Sequence, residues 1–334
     1  MMQRFGITKT LALVIILSLL SACSLPPTKQ KQTINDYLSI TLTTITDEAN
    51  QFEMNNYCYD LENNTMDLIA SFDYASQYPL SYYDKVENMV YFTHESQKGN
   101  DEIYQYNCKS KKIKQMTDGL FAVNAMYKVN EDELMLVAVE QNSALLQIYT
   151  LNTKSKNLDK VDITGIGIDD FVVYEQYYNP DNHSFIFAGY DEDVEYEMRN
   201  QYNNDFIDNF LVDFSIYQYS LDTKELTQIT SIKTDEMLSL VGNNEYIYYQ
   251  TVSLDNGKKR VFEYNIQTQQ TKEIKELSKI YRLVALKDQN VFYIENINQG
   301  QSSLKKIDLK TMRDEELFTH DIEGQMNNGA LGYH

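Results

Sequence analysis

Residues Ile216-Tyr217-Gln218-Tyr219-Ser220-Leu221-Asp222-Thr223-Lys224-Glu225-Leu226-Thr227-Gln228-Ile229-Thr230 read as two β-strands joined by a polar turn. Tyr217, Tyr219 and Leu221 alternate with period two, and Asp222-Thr223-Lys224 carries turn chemistry. Related copies stand at Ile103–Thr117, Ile148–Asp162, Val261–Lys275 and Leu304–Phe318, with a worn one at Asn56–Ala70. Taking the second residue of each copy as a marker gives Tyr57, Tyr104, Tyr149, Tyr217, Phe262 and Lys305. Twelve positions after each stands an aliphatic or Met residue: Ile69, Met116, Val161, Ile229, Ile274 and Leu317. The markers are 47, 45, 68, 45 and 43 residues apart, a period near 45 with one insertion in the fourth unit.

Upstream of each copy lies another apolar run: Leu42 to Thr46, Val90 to Thr93, Leu134 to Val139, Phe185 to Ala188, Tyr246 to Tyr249 and Val291 to Ile294. Continuous runs of that length suit central strands buried on both faces. A weaker strand precedes units two to six, as at Ala122 to Val129, Asp169 to Tyr177 and Tyr281 to Leu286. Four antiparallel strands in some 45 residues predict a propeller blade, whose sheet is covered only by its neighbours. The expected fold is all-β: a six-bladed β-propeller with four-stranded antiparallel blades and a short helical insertion in blade 4.

The stretch Tyr178-Asn179-Pro180-Asp181-Asn182-His183-Ser184-Phe185-Ile186-Phe187-Ala188 resembles the turn and strand of the WD40-like repeats of TolB-type propellers. Asn182 stands where that motif has Gly, and Asn179 where it has Ser. The resemblance implies the six-bladed ring over about Ser39 to His320. It does not imply the partners of that family, because no matching contact residues occur.

At the N-terminus, Arg4 and Lys9 precede an apolar run from Leu11 that closes on Leu20-Ser21-Ala22-Cys23. The run is of signal-peptide length and too short to span a bilayer. It resembles the lipobox of bacterial lipoproteins, which implies a signal peptide over residues 1–22, a diacylated Cys23 and attachment to the outer, extracytoplasmic face of the cell membrane. Residues 23–37, with Pro26 and Pro27 and little apolar content, read as a tether, and 38–334 as the propeller domain.

Formal charge is -20, and beyond Ala22 there are 27 basic against 49 acidic residues. Such a surface repels phosphate backbones, so nucleic acid is excluded as a partner. Tyrosine is abundant, at 27 against no Trp, which suits half-buried strands. Repeat alignment places Cys108 on an inward apolar column and Cys58 on the opposite strand face, at non-equivalent positions, which argues against a disulfide. His94, His183, His320 and His334 read as exposed loop residues, without a zincin spacing. There is no GxSxG elbow, and Gly165-Ile166-Gly167 reads as an inter-blade turn. No catalytic residue, metal or cofactor is assigned.

The insertion, Tyr190 to Val212, departs from the repeat. It joins the second and third strands of its blade, on the face where the inter-blade loops lie. Asp191, Asp193, Glu195 and Glu197 alternate, without the EF-hand spacing that would make them a calcium loop. Tyr202, Phe206 and Phe210 recur every four residues, which predicts three rings on one side of a short helix. The segment is either a flap over the blade rim or a partner-binding lid, with Asp191, Asp193, Glu195, Tyr196, Tyr202 and Phe206 as ligand-binding candidates. The expected function is a binding or assembly module for a protein, peptide or cell-envelope ligand. The alternative is an envelope glycan hydrolase or lyase with loop carboxylates in the central funnel, favoured by convergent acids above a deep pocket; a filled funnel favours the binder.

Overall fold

Alternating apolar residues and a turn signal every ten or so positions build the sheets of the computed structural model, which describes residues 35–45, 51–204, 207, 210–298, 300–320 and 324–333. Cys23, the leader, Phe206 and His334 lie outside the described residues. Blade two comprises β4 (Ser81–Asp84), β5 (Met89–Glu95), β6 (Asp101–Asn107) and β7 (Ile113–Gln115). Blade three follows with β8 (Leu120–Asn130), β9 (Glu133–Glu140), β10 (Gln147–Asn152) and β11 (Leu158–Lys160). Blade four holds β12 (Phe171–Asn179), β13 (Ser184–Asp191), helix α1 (Glu192–Asn203), β14 (Val212–Ser220) and β15 (Leu226–Thr234). Blade five is β16 (Glu236–Gly242), β17 (Tyr246–Val252), β18 (Lys259–Asn265) and β19 (Gln270–Glu273), and blade six β20 (Arg282–Lys287), β21 (Asn290–Asn298), β22 (Gln301–Asp308) and β23 (Arg313–Thr319). All six sheets are four-stranded and antiparallel, so the six-bladed propeller is the observed fold.

Blade one is assembled from both ends of the sequence. Its outer three strands are β1 (Tyr37–Ile45), β2 (Phe52–Asp60) and β3 (Thr65–Asp73), and its innermost is β24 (Gly324–Leu331). Register runs from Leu38↔Leu331 to Thr44↔Gly324. Repeat spacing leaves unit one without a preceding strand, and this strand fills that place. Two glycines let β24 come close: a Cβ on Gly324 would stand 2.5 Å from the Thr43 carbonyl, and one on Gly329 2.6 Å from Val284.

The recurring columns acquire a geometric meaning. The third residue after each marker, namely Asp60, Asn107, Asn152, Ser220, Asn265 and Asp308, accepts a backbone N–H from the turn that follows. Such side-chain turns are the reason Asp, Asn and Ser gather there. Four residues on, Asn64, Lys111, Lys156, Lys224, Gln269 and Met312 take left-handed φ values between 52° and 65°. The apolar residue twelve after the marker is a bulge: Ile69, Ile229 and Leu317 each sit opposite a register shift. A bulge re-aims its side chain, here back toward the sheet interior.

Second strands form the centre of each blade, and Leu134–Val139 and Phe185–Ala188 are buried throughout. Both thiols are free, but their environments reverse the expectation. Cys58 on β2, the third strand of blade one, is the buried one, and burial pushes its thiol up to about 11. Cys108 begins the exposed turn after β6 and is only half-buried. The histidines also differ from the expected exposed loops. His320 is buried and accepts from the Ser302 backbone N–H at 3.1 Å. His183 takes the left-handed turn position (φ 50°), one residue beyond Asn182, with its ring nitrogens 2.6 Å from Asp222 Oδ1 and 2.8 Å from the Val129 carbonyl. His94 is half-buried at the end of β5, its ring edge-on to Tyr104.

Candidate functional site

Antiparallel order places the start of every innermost strand, the link between second and third strands, and the link to the next blade at one end of the ring, called upper here. Twelve large apolar side chains are exposed among the described residues, and nine of them lie at that end: Phe52, Tyr74, Tyr78, Phe121, Val194, Tyr196, Leu211, Leu254 and Ile297. Of the others, Val86 and Ile113 belong to the lower turns and Leu68 to mid-strand β3. A single exposed apolar side chain needs no explanation; the uneven distribution between the two ends does.

Helix α1 rises from this end. Asp191 caps it, its carboxylate accepting from the Val194 N–H at 3.1 Å, and Glu192, Asp193 and Glu195 occupy the first turn, where acids complement the helix dipole. Of the alternating acids, Asp191, Asp193 and Glu195 are therefore helix-start residues. Glu195 is buried and ion-paired with Arg199 one turn on, while Asp193 and Tyr196 face solvent, Tyr196 at 62% exposure. Among the described residues no three His, Cys, Asp or Glu side chains gather as a metal site. The helix ends at Asn203, because Asn203 and Asn204 are weak helix formers, so the four-residue spacing does not extend to Phe210 as predicted. Tyr202 and Phe210 nevertheless meet, ring centroids 6.0 Å apart, and Arg199 covers Phe210 at 5.1 Å. A cleft of about 240 Å³ under the helix is lined by Asp191, Val194, Glu195 and Met198 with Phe171 and Tyr190.

Side chains reach across the channel between the innermost strands. The Tyr177 hydroxyl donates to the Leu286 carbonyl at 3.1 Å and accepts from its N–H at 3.2 Å, joining β12 to β20 past the intervening blade. Nearer the upper end, Arg282 donates to Glu175 at 2.8 Å. Burial pushes the Glu175 carboxyl up to about 7, Arg282 opposing and Glu236 adding to the shift. Tyr127 packs into the same centre, its hydroxyl donating to the Gln176 carbonyl. Acids converge here, and Glu175 is buried and paired with Arg282.

A second upper-end cleft, of about 360 Å³, lies between blades six, one and two. Phe52, Tyr74, Pro79 and Ile45 form its apolar wall, and Thr43, Gln325 and Asn327 its polar one. Gly300 (φ 81°) and Gly324 line it as well, with the Gly324 N–H on the Gly300 carbonyl at 2.6 Å. The Phe52 and Tyr74 rings are 5.6 Å apart and tilted by 49°. Two adjacent acids at the start of β6 brace the neighbouring loops. Asp101 accepts from Ser76 Oγ and the Gln77 N–H, and Glu102 from Thr117 Oγ1 and the Gly119 N–H. Burial, outweighing those hydrogen bonds, raises both carboxyls above their ordinary range. Repeat spacing does not reveal this cleft, since its walls come from strand ends and links of three different blades that no period relates.

The sequence matches no protein-family model and no curated protein. Among solved structures, TolB from Acinetobacter baumannii is similar in fold (TM-score 0.58, 13% identity), covering 89% of this chain and 67% of that one. A chain of a nidogen/laminin complex is similar too (TM-score 0.57, 11% identity), covering 89% of this chain and 98% of its own length. At such identities the likeness concerns architecture.

Proposed function

We propose that this protein is a lipid-anchored binding or assembly module that holds a protein or cell-envelope partner on the upper end of its propeller, outside the cell membrane. The observation that carries this reading is the gathering of nine of the twelve exposed large apolar side chains at that end. Rigid scaffolds with loops at one end favour such use. The nidogen/laminin complex shows a chain of this architecture in a complex of two proteins.

The chain enters the propeller at the lower end, where the Asp36 carbonyl accepts from the Leu61 N–H and its carboxylate pairs with Lys287 at 3.5 Å.

A photo-crosslinking residue placed at Phe121 or Tyr196, and in a parallel strain at Val86, tests the reading in intact cells. Capture of one defined partner from the upper positions and not from Val86 is expected. Equal capture from both ends, or none from either, overturns the assignment. Release of a Cys23→Ala chain from the membrane fraction is the expected result for the anchor.

A further inference from the structure

We infer that the hairpin joining β17 to β18, at the upper end of blade five, docks an acidic segment of a protein partner through Lys258, Lys259 and Arg260. The chain as a whole has 49 acidic residues against 29 basic ones, yet residues 253–282 hold seven basic residues and four acidic ones. Charge is thus inverted along the hairpin and the link that carries the chain on to blade six. Lys258 and Arg260 are exposed, as is Lys279 in that link, and Lys259 is half-buried. Among the described residues the ion pairs engage other cations and none of these four. Two neighbouring acids are occupied: Asp235 accepts the Leu254 N–H at 2.8 Å, and Glu236 the Tyr174 hydroxyl at 3.1 Å. Asp255 and Glu276, both exposed, leave the cations in excess.

Lys259 itself points to a ligand. Its ammonium lies 5.1 Å from the centre of the Tyr281 ring, just ahead of β20, and burial holds it below the ordinary lysine value. A cation part-way out of water is costly until an anion reaches it, and a carboxylate forms a charge-assisted hydrogen bond there. The hairpin is fastened in advance. Ser253 N–H donates to the Lys258 carbonyl at 3.1 Å, Gly257 N–H (φ 65°) returns to the Ser253 carbonyl at 2.8 Å, and the Asp235 bond ties the turn to the start of β16. Such preorganisation lowers the ordering cost of binding. Leu254, 53% exposed on the same turn, adds an apolar contact. A protein segment that mixes carboxylates with an apolar side chain matches this pairing, whereas a phosphate polymer would use the cations and leave Leu254 in water.

This inference rests on the binding-module reading and deepens it by naming the partner's chemistry, and the two fail separately. Fluorescence anisotropy of a labelled peptide alternating glutamate and leucine, titrated with the full chain, is the direct test, with the glutamine-for-glutamate peptide and inorganic polyphosphate as comparisons. Saturable binding of the acidic peptide is expected, falling as sodium chloride is raised. It should weaken about tenfold in Lys259→Gln and in the Lys258→Ala, Arg260→Ala chain, and stay unchanged in Lys310→Ala, an exposed lysine of a lower turn. Lys259→Arg, which keeps the charge, should retain binding and so tells lost charge from lost fold. No saturable binding, equal binding of the glutamine peptide or of polyphosphate, or indifference to both sets of substitutions overturns the inference. Self-association in analytical ultracentrifugation that disappears in the same variants would assign the hairpin to a second copy of the chain and overturn it too. Partner capture from Phe121 or Tyr196 persisting in those cases leaves the module reading standing.

Discussion

Lys128 Nζ stands 2.9 Å from Asp84 Oδ2, with both side chains 1% exposed, and joins the lower ends of the innermost strands of blades two and three. The Tyr91 ring lies 5.3 Å from the same ammonium and Glu87 3.8 Å away. A charge buried to this degree is tolerated because its partner is buried with it.

Removing one partner should therefore cost far more than removing both. Lys128→Met is expected to destabilise by about 3–5 kcal/mol, leaving Asp84 without its counter-charge, whereas Lys128→Met with Asp84→Leu should recover most of that loss. Urea unfolding of the two variants compares them. Burial works to lower the Lys128 pKa, but Asp84, Tyr91 and Glu87 outweigh it and hold it above the ordinary lysine value. Its contribution is thus complete below about pH 10.4 and disappears as pH rises through the folded value.

Glu175 gives the opposite end of the channel a pH dependence. Its folded pKa, near 7, exceeds that of an unfolded glutamate, so the native state holds the proton more tightly. The resulting stabilisation is full below about pH 4.3 and is lost as pH rises through the folded value. Arg282 from β20, Glu236 from β16 and Tyr127 from β8 face or surround this group. Melting temperature measured from pH 4.5 to 8 should fall more steeply in the wild type than in Glu175→Gln; parallel profiles would count against the assignment.

Ring closure through β24 should be separable. A chain ending before Gly324 leaves the edge of β1 unpaired, and is expected to aggregate or to lose its cooperative melt. Adding a peptide of residues 324–334 should restore that transition, whereas a peptide with Gly324→Val should not, given the 2.5 Å approach to Thr43.

The turn column offers a smaller effect. Asn152 Oδ1 accepts from the Lys154 N–H at 3.1 Å and the Ser155 N–H at 2.8 Å, so Asn152→Ala is expected to cost about 1 kcal/mol. Lys156 occupies a left-handed φ of 65°, and Lys156→Gly relieves that conformation. Chemical denaturation should move the midpoint down for the first variant and leave it level or raise it for the second.

Much of the fold is legible from residue spacing. Tyr217, Tyr219 and Leu221 announce a strand, Asp222 to Lys224 a turn, and the marker separations the number of blades. Column alignment misjudges the cysteines because it reports which strand face a residue occupies, while burial in a propeller depends on how far along the strand it sits. Spacing likewise puts Phe210 on a helix that ends seven residues earlier, since a four-residue period says nothing about where Asn203 and Asn204 stop the helix.

The amino-acid sequence alone determined the blades, because strand periodicity and turn chemistry are local and recur in each unit. Tertiary structure alone decided how the ring closes and what its upper end presents. The glycine- and asparagine-rich β24 carries almost no strand signal of its own, and its partner β1 lies at the far end of the chain. Likewise Phe52, Tyr74 and Gln325 become neighbours only when blades six, one and two are brought together, a contact set by burial of the sheets rather than by any spacing within them.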